Sequence, residues 1–150
     1  MKITKIPEDK KQYLDILLLG DEQESMIETY LDRGDLFALY DDDLKTVCVV
    51  TKETETAHEI KNIATREEYQ GKGYGSLMLN YVIDHYKDKC AALYVGTGNT
   101  ERTLSFYRKN GFEYSHTVKD FFTKHYDHVI VDDGVPLRDM IYLKREYGGK

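Results

Sequence analysis

The stretch that decides the fold is "EIKNIATREEYQGKGYGSLML", residues 59–79. Its first residues are typical of a strand, and "YGSLML" begins an apolar pattern with helical spacing. Between them, Gly71, Gly73 and Gly75 occupy alternate positions. Glycines before a helix serve a tight turn, a close backbone approach to a ligand, or helix-to-sheet packing. Because the first turn of a helix presents free N–H groups and a positive dipole end, such a turn suits a phosphate.

Two familiar phosphate-binding motifs do not fit these glycines. A P-loop needs four residues before its Gly-Lys-Ser/Thr triplet, and "GKGYGS" has neither that interval nor a lysine before its serine. A dinucleotide fingerprint that starts at Gly71 would need its third glycine where Ser76 stands. It would also follow a strand directly, whereas "TREEY" is polar. The turn therefore belongs to another class.

The residues before this stretch predict short helices and an antiparallel meander. "MKITKI" indicates an edge strand that ends at Pro7. "EDKKQYLDILLLG" and "DEQESMIETYLDRG" predict two helices with Gly20 and Gly34 as C-caps. "LFALYDDD", "LKTVCVVTKE" and "AHEIKNIAT" predict three antiparallel strands.

The residues after the turn alternate between helix and strand. "YGSLMLNYVIDHYK" predicts a helix on a sheet, and "AALYVGTG" a buried strand. "NTERTLSFYRKNGF" predicts a helix with Asn99 or Thr100 as N-cap and Gly111 as C-cap. "FEYSHTV" and "RDMIYLKRE" indicate strands, and Asp133-Gly134 a hairpin turn. The sequence predicts one α/β (α+β) domain over residues 1–150.

Composition and charge narrow the classes of function. The chain has 150 residues with 41% hydrophobic and 32% charged residues, which suits one packed domain. The net charge of −6 disfavours nucleic-acid binding and permits a cationic substrate. Because no window approaches about 18 apolar residues and the start lacks a secretory pattern, we expect a cytoplasmic protein without membrane contact. Cys48 and Cys90 have no Cys or His at ligand spacing, so we expect buried free thiols and no metal site.

Two blocks of the sequence resemble the GCN5-related N-acetyltransferase (GNAT) superfamily. Gln70 to Gly75 fits the pattern Q/R-x-x-G-x-G/A, and residues 95–112, "VGTGNTERTLSFYRKNGF", fit N-x-x-x-x-x-x-F-Y-x-x-x-G-F. The resemblance covers about residues 1–146 and is strongest over 59–112. It implies a mixed central sheet splayed in a V, with helices on both faces, and acetyl-CoA as co-substrate.

The resemblance also implies which residues bind the cofactor. Gln70 would fix the turn, and Asn62, Ile63 and Ala64 would offer backbone hydrogen bonds to the pantetheine arm. One of those strand amides would polarise the thioester carbonyl. A plain turn and an ordinary buried strand are the alternatives. Six residues would surround the pyrophosphate with backbone amides: Gly71, Lys72, Gly73, Tyr74, Gly75 and Ser76.

Candidate catalytic residues follow from the same resemblance. Tyr107 occupies the general-acid position and would protonate the departing CoA thiolate, although a structural tyrosine is the alternative. Glu59 is the candidate general base, with a cross-strand pair as its alternative role. His58 is the weaker candidate base. Asn99 would contact the cofactor near its thiol, or only cap the helix.

The implied reaction is direct acetyl transfer to a primary amine in a ternary complex. We expect a small cationic acceptor. The candidate contacts are "DEQES" and "KDFFTKHYDHVIVDDG", where Phe121, Phe122, His125, Tyr126 and Asp127 mix aromatic and acidic groups, and a surface loop with local core is the alternative for each of these residues. A protein lysine or N-terminal acetyltransferase and a non-catalytic acyl-CoA sensor are the alternatives. The resemblance also allows a homodimer.

Overall fold

The two halves of the chain contribute to one mixed sheet in a computed structural model that describes residues 1–148. Seven strands pair in the order β1-β2-β3-β4-β5-β9-β6, and β7 and β8 form a separate hairpin. The strands are β1 (Lys2–Ile6), β2 (Asp35–Asp41), β3 (Asp43–Lys52), β4 (Ala57–Thr65), β5 (Ala92–Thr97), β6 (Glu113–Val118), β7 (Val131–Asp132), β8 (Val135–Pro136) and β9 (Met140–Glu146). The helices are α1 (Leu14–Gly20), α2 (Glu24–Ile27), α3 (Tyr74–Tyr86), α4 (Glu101–Arg108) and α5 (Phe121–His125).

The strand predictions are confirmed. β1 lies at the edge of the sheet, and β2, β3 and β4 form an antiparallel meander. The turn at Asp133 and Gly134, both with positive φ, joins β7 to β8 as predicted. β5 and β9 pair antiparallel, as do β9 and β6. Among the strands of residues 1–148, only β4 and β5 pair in parallel, which makes the sheet mixed.

Both faces of the sheet are covered, because β2 and β3 are apolar at successive positions and therefore bury side chains on each side. Helices α3 and α4 cover one face, through Met78, Leu79, Val82, Leu104 and Tyr107. Helices α1 and α2 cover the other face, through Ile16, Leu17 and Ile27 against Val47, Val49 and Ala64. The expected arrangement with helices on both faces is confirmed.

A β-bulge in β4 marks the place where the sheet opens. Ile60 pairs with Val50 and Asn62 with Val49, so Lys61 is the extra residue of the bulge. The parallel pairing of β4 with β5 ends at Ile60, although both strands continue beyond it. Because a bulge bends its strand and increases the local twist, the two strands diverge from this point and form the expected V.

The glycine C-caps were predicted correctly only for α4. Gly111 has φ 92°, and the amides of Gly111 and Phe112 donate to the carbonyls of Arg108 and Tyr107 at 3.0 and 3.1 Å. This is the Schellman pattern. Thr100, not Asn99, is the N-cap residue of this helix.

Gly20 and Gly34 are not C-caps, because neither has a positive φ. Gly20 is the last residue of α1, and a Cβ there would overlap Oδ1 of Asn62. A Cβ at Gly34 would lie 2.7 Å from Cγ1 of Val49. Both glycines therefore permit close packing on the sheet.

Helix α2 is shorter than predicted, because it spans only Glu24–Ile27 before turns. The Oγ1 of Thr29 donates to the carbonyl of Met26 at 2.6 Å, and such local hydrogen bonds compete with helical ones. Among the thiols, Cys48 is buried and free as predicted, whereas the free Cys90 is only half-buried just before β5. None of the helices formed by residues 1–148 has the length and apolarity needed to cross a membrane.

Candidate active site

The glycine turn joins β4 to α3 and leaves space around its backbone. Gly71 and Gly73 have φ values of 78° and 92°, a region that residues with a Cβ rarely adopt. A Cβ built at either glycine would have no neighbour within 4 Å. Gly75 has no positive φ, and a Cβ there would lie 3.7 Å from the Phe106 ring. The space beside Gly71 and Gly73 is therefore free for a ligand, whereas Gly75 packs against Phe106.

The first turn of α3 supplies amides without helical acceptors. The helix begins at Tyr74 with Gly73 as N-cap, and its first amide with an i−4 acceptor is that of Leu77, at 3.1 Å from the Gly73 carbonyl. The amides of Tyr74, Gly75 and Ser76 precede it and have no carbonyl one turn back. These three amides and the helix dipole make the turn suitable for an anion.

Gln70 fixes the turn on β4. Its Nε2 donates to the carbonyl of Thr65 at 3.0 Å, which ties the start of the turn to the end of the strand. The hydroxyl of Tyr74 donates to Asp41 at 2.8 Å, and this bond holds the start of α3 to β2. Lys72 is exposed beside the turn. The turn is therefore attached at both ends while its centre faces solvent.

The divergence of β4 and β5 opens a cavity of about 380 Å³ between the two halves of the sheet. Four of the predicted catalytic and cofactor-binding residues line it, namely Glu59, Asn62, Ile63 and Tyr107, as do three predicted acceptor contacts, Phe121, Phe122 and Tyr126. Gln70 through Ser76 and Ala64 lie outside its lining. Asn99 is exposed and lines a second, smaller cavity of about 170 Å³.

The backbones of the three predicted strand residues differ in orientation, and only Asn62 and Ile63 line the cavity. The amide of Arg66 donates to the carbonyl of Lys45 in β3 at 3.0 Å. Because successive amides of a strand point to opposite sides, the amides of Ala64 and Asn62 also face β3. The amide of Ile63 then faces the cleft. Asn62 contributes its side chain instead, which is 3% exposed.

Glu59 is buried in the cavity wall at 9% exposure. Burial raises the pKa of its carboxyl above the ordinary glutamate value, and the neighbouring Glu53 adds to this, while Lys61 and Tyr142 lower it. The Lys61 Nζ lies 3.2 Å from Oε2 of Glu59. A carboxylate with a raised pKa in a cavity has the properties of a proton acceptor. His58, the weaker candidate base, faces the other side of the sheet and packs 4.6 Å from the Tyr86 ring.

Tyr107 lies on α4 and is 5% exposed, packed between the rings of Phe106 and Phe112. Its hydroxyl makes no hydrogen bond within residues 1–148, yet the residue lines the cavity. Burial strongly raises the pKa of the phenol, so Tyr107 stays protonated through neutral pH. It is therefore available as a donor to a group bound in the cavity.

An additional polar network lines the cavity opposite Tyr107. The two carboxylate oxygens of Asp21 accept hydrogen bonds from the hydroxyls of Tyr126, at 2.7 Å, and Tyr30, at 2.9 Å. The Tyr30 hydroxyl in turn accepts from Nδ2 of Asn62 at 3.1 Å. This network connects α1, β4 and the segment after α5 in one wall of the cavity.

The segment after α5 is held to the loop before α2 by one glutamine. The Nε2 of Gln23 donates to the carbonyl of His125 at 3.3 Å, and its Oε1 accepts from the amide of Asp127 at 3.0 Å. The Nε2 of His128 lies 3.0 Å from Glu22. The two segments that the sequence indicated as acceptor contacts are thus adjacent and close one side of the cavity.

The sequence did not indicate Tyr30 or Tyr142 as residues of the site. Tyr30 belongs to a predicted helix and Tyr142 to a predicted strand, where an aromatic residue is ordinary core. Asp132 accepts hydrogen bonds from the hydroxyls of Thr100 and Thr103 at 3.0 and 3.2 Å, which attaches the β7–β8 hairpin to α4. Asp132 itself belongs to the segment that the sequence indicated as an acceptor contact, residues 119–134.

Comparison with known proteins agrees with this geometry. Residues 32–114 match the family described as acetyltransferase (GNAT) domain. The uncharacterized N-acetyltransferase YvbK of Bacillus subtilis (strain 168) is 36% identical over 139 residues, which is 91% of this chain and 90% of that protein. The protein therefore belongs to the GNAT acetyltransferases, a family of acyltransferases.

Solved structures resemble the whole chain. A GNAT family acetyltransferase from Elizabethkingia anophelis with acetyl-CoA bound has a TM-score of 0.91 and 33% identity, covering 97% of both chains. The IAA acetyltransferase from Bacillus cereus ATCC 14579 has a TM-score of 0.89 and 35% identity, covering 97% of this chain and 98% of that one. The expected family, enzyme class and fold are confirmed.

Proposed function

We propose that the protein transfers the acetyl group of acetyl-CoA directly to the primary amine of a small cationic molecule. One observation carries this proposal: Glu59 and Tyr107, which come from the two sides of the open sheet, line the same cavity. The similar enzyme from Elizabethkingia anophelis was solved with acetyl-CoA bound, which supports the same co-substrate here.

The glycine turn binds the pyrophosphate in this proposal. The space above Gly71 and Gly73 and the free amides of Tyr74, Gly75 and Ser76 fit an anionic group. Lys72 adds a solvent-screened attraction.

Along β4, the amide of Ile63 faces the cleft and is the candidate that polarises the thioester carbonyl. The backbone amides of Asn62 and Ala64 face β3, so their role is to attach this part of β4 to β3. Asn99 lies away from the main cavity, and its predicted contact with the cofactor stays a prediction.

Glu59 removes a proton from the acceptor ammonium in this mechanism. Because its pKa is raised by burial, it accepts a proton more readily near neutral pH than an exposed glutamate does. The neutral amine then attacks the carbonyl carbon of the thioester, and the bond between carbon and sulfur breaks. Holding both reactants in one cavity removes much of the entropic barrier to their encounter.

Tyr107 stabilises the sulfur as it departs. Its hydroxyl has no competing partner within residues 1–148, so it is free to donate to the thiolate. Burial disfavours the tyrosinate, so the hydrogen bond from the neutral phenol carries more of the stabilisation than complete proton transfer does. The thiolate takes its proton from the phenol or from the solvent as the product leaves.

The shape of the cavity favours a small acceptor over a peptide. Phe121, Phe122 and Tyr126 line it, and Gln23 holds their segment against the loop before α2. An extended peptide would need a groove that continues beyond this wall. The enclosed wall supports the small-molecule version over protein acetylation.

A thiol-release assay tests the proposal. The protein is mixed with acetyl-CoA and separate panels of small amines, lysine peptides and N-terminal peptides, and the acetylated product is identified by mass spectrometry. We expect free thiol with at least one class of small amine and little with peptides. Faster reaction with a peptide would favour a protein acetyltransferase. Tight acetyl-CoA binding without turnover on any amine would favour a sensor.

A further inference from the structure

Asp21 is a desolvated carboxylate in the wall of the cavity. It follows α1 directly, and tyrosine hydroxyls donate to both of its oxygens. Each hydroxyl occupies one acceptor position of an oxygen, leaves another available on that oxygen, and brings no positive charge. Burial raises the pKa of Asp21 above the ordinary aspartate value even though the two tyrosine hydrogen bonds lower it. The cost of removing this charge from water is therefore only partly offset.

The other acidic side chains that line the cavity differ from Asp21, because each has a basic group beside it. Asp21 has no ion-pair partner in the part of the chain that the structure describes. The three pairs are Glu59 with Lys61 at 3.2 Å, Asp132 with Arg102 at 3.3 Å, and Glu22 with His128 at 3.0 Å.

The surroundings of Asp21 suit an organic cation. Tyr30, Phe122 and Tyr126 line the same part of the cavity, and aromatic rings attract ammonium groups when water is excluded. Asn62 connects to this network through Tyr30. The wall thus combines aromatic rings with a carboxylate that has no ion-pair partner among the described residues.

We propose that Asp21 binds a second cationic group of the acceptor, so that the preferred acceptor is a diamine. One amine would lie at Glu59 and react, and the other would remain charged at Asp21. This rests on the proposed function, since Glu59 and Tyr107 must define the reacting end. Asp21 is then a specificity-determining residue and takes no part in the proton transfers.

A comparison of matched acceptors tests this role. The probes are linear diamines of three to six carbons, each with an n-alkylamine of equal chain length, and the wild type is compared with Asp21→Asn. The variant keeps the side-chain shape and removes the charge. A hydrogen bond to a charged group is worth about 1.5–3 kcal/mol, so we expect the ratio of kcat/KM for diamine over monoamine to fall by about tenfold or more.

Tyr126→Phe provides a second variant, because it removes one donor to Asp21 and leaves the carboxylate in place. We expect it to retain the preference for diamines. Thermal unfolding of both variants shows whether each is folded, and only folded variants enter the comparison.

Two results would overturn the proposal. The first is an unchanged ratio in Asp21→Asn. The second is an equal fall for diamines and monoamines together with a shifted pH profile, because that would make Asp21 the general base. These outcomes differ from failure of the proposed function, in which the wild type would release no thiol with any amine.

Discussion

Replacement of Gly73 by alanine separates cofactor binding from folding. Gly73 has φ 92°, which costs a residue with a Cβ about 1–2 kcal/mol, and the added Cβ meets no atom within 4 Å. Because a domain of this size loses about 2–4 °C in Tm for each kcal/mol, we expect a folded variant with Tm lowered by about 2–8 °C. The new methyl group lies where the pyrophosphate would approach, so acetyl-CoA affinity, measured by titration calorimetry, should fall by about tenfold or more.

Gly134 provides a matched control for this experiment. It has φ 75° in the β7–β8 turn, and a Cβ there also meets nothing within 4 Å. Gly134→Ala should lower Tm by a similar amount and leave acetyl-CoA affinity unchanged. Wild-type affinity in Gly73→Ala would refute the pyrophosphate assignment. An equal loss of affinity in both variants would show that destabilisation alone explains the effect.

Three further substitutions test the catalytic residues and the packing. Tyr107→Phe should lower kcat about a hundredfold with little change in acetyl-CoA affinity, whereas Tyr114→Phe on the exposed edge should have no effect; equal turnover in both variants would remove Tyr107 from the mechanism. For the wild type, log(kcat/KM) should decline as pH falls through the raised pKa of Glu59, because the base must be unprotonated. Glu59→Gln should abolish this acid limb and lower the rate at least about a hundredfold, and an unaltered limb would assign the base to another group. Gly20→Ala should lose about 1–3 kcal/mol in chemical denaturation, because its Cβ overlaps Asn62; Gly148→Ala, with open space, serves as control, and equal stability of the two variants would contradict the packing argument.

Local patterns predicted most of the secondary structure and the glycine turn. Alternation, apolar runs and turn residues depend on a few neighbouring positions, and they indicated each strand of the main sheet, whereas α2 is shorter than predicted and α5 was not predicted. The family resemblance supplied the mixed sheet splayed in a V and the joint catalytic roles of Glu59 and Tyr107. These two residues are far apart in the sequence, and their shared cavity depends on how β4 and β5 diverge.

The parts that the sequence did not predict depend on contacts between distant residues. Gly20 has the position of a C-cap, but its actual reason is the approach of Asn62 from β4. Asp21 belongs to "DEQES", a predicted acceptor contact, but the sequence did not indicate which residues donate to it. Only the fold brings Tyr126 to its carboxylate from 105 positions away. Neither contact can be predicted from neighbouring positions, because each joins residues that are distant in the sequence.

The spacing of two isoleucines in the sequence of β4 indicates the bulge at Lys61. Ile60 and Ile63 both face α3 and α4, yet they are three residues apart instead of two. A regular strand would place them on opposite faces. An odd spacing of apolar residues within a strand is therefore a signal for an extra residue.

Lys61, the extra residue of the bulge, changes which alternate side chains of β4 face the cavity. Before it, odd-numbered side chains such as Glu59 face the cavity, and after it, even-numbered ones such as Asn62 do. Deleting Lys61 would leave Val50 opposite Ile60 and Val49 opposite Asn62, so Asn62 and Ile63 would keep their present faces. The strand would lose only the bend and extra twist of the bulge, and the cleft between β4 and β5 would narrow although every candidate site residue remained.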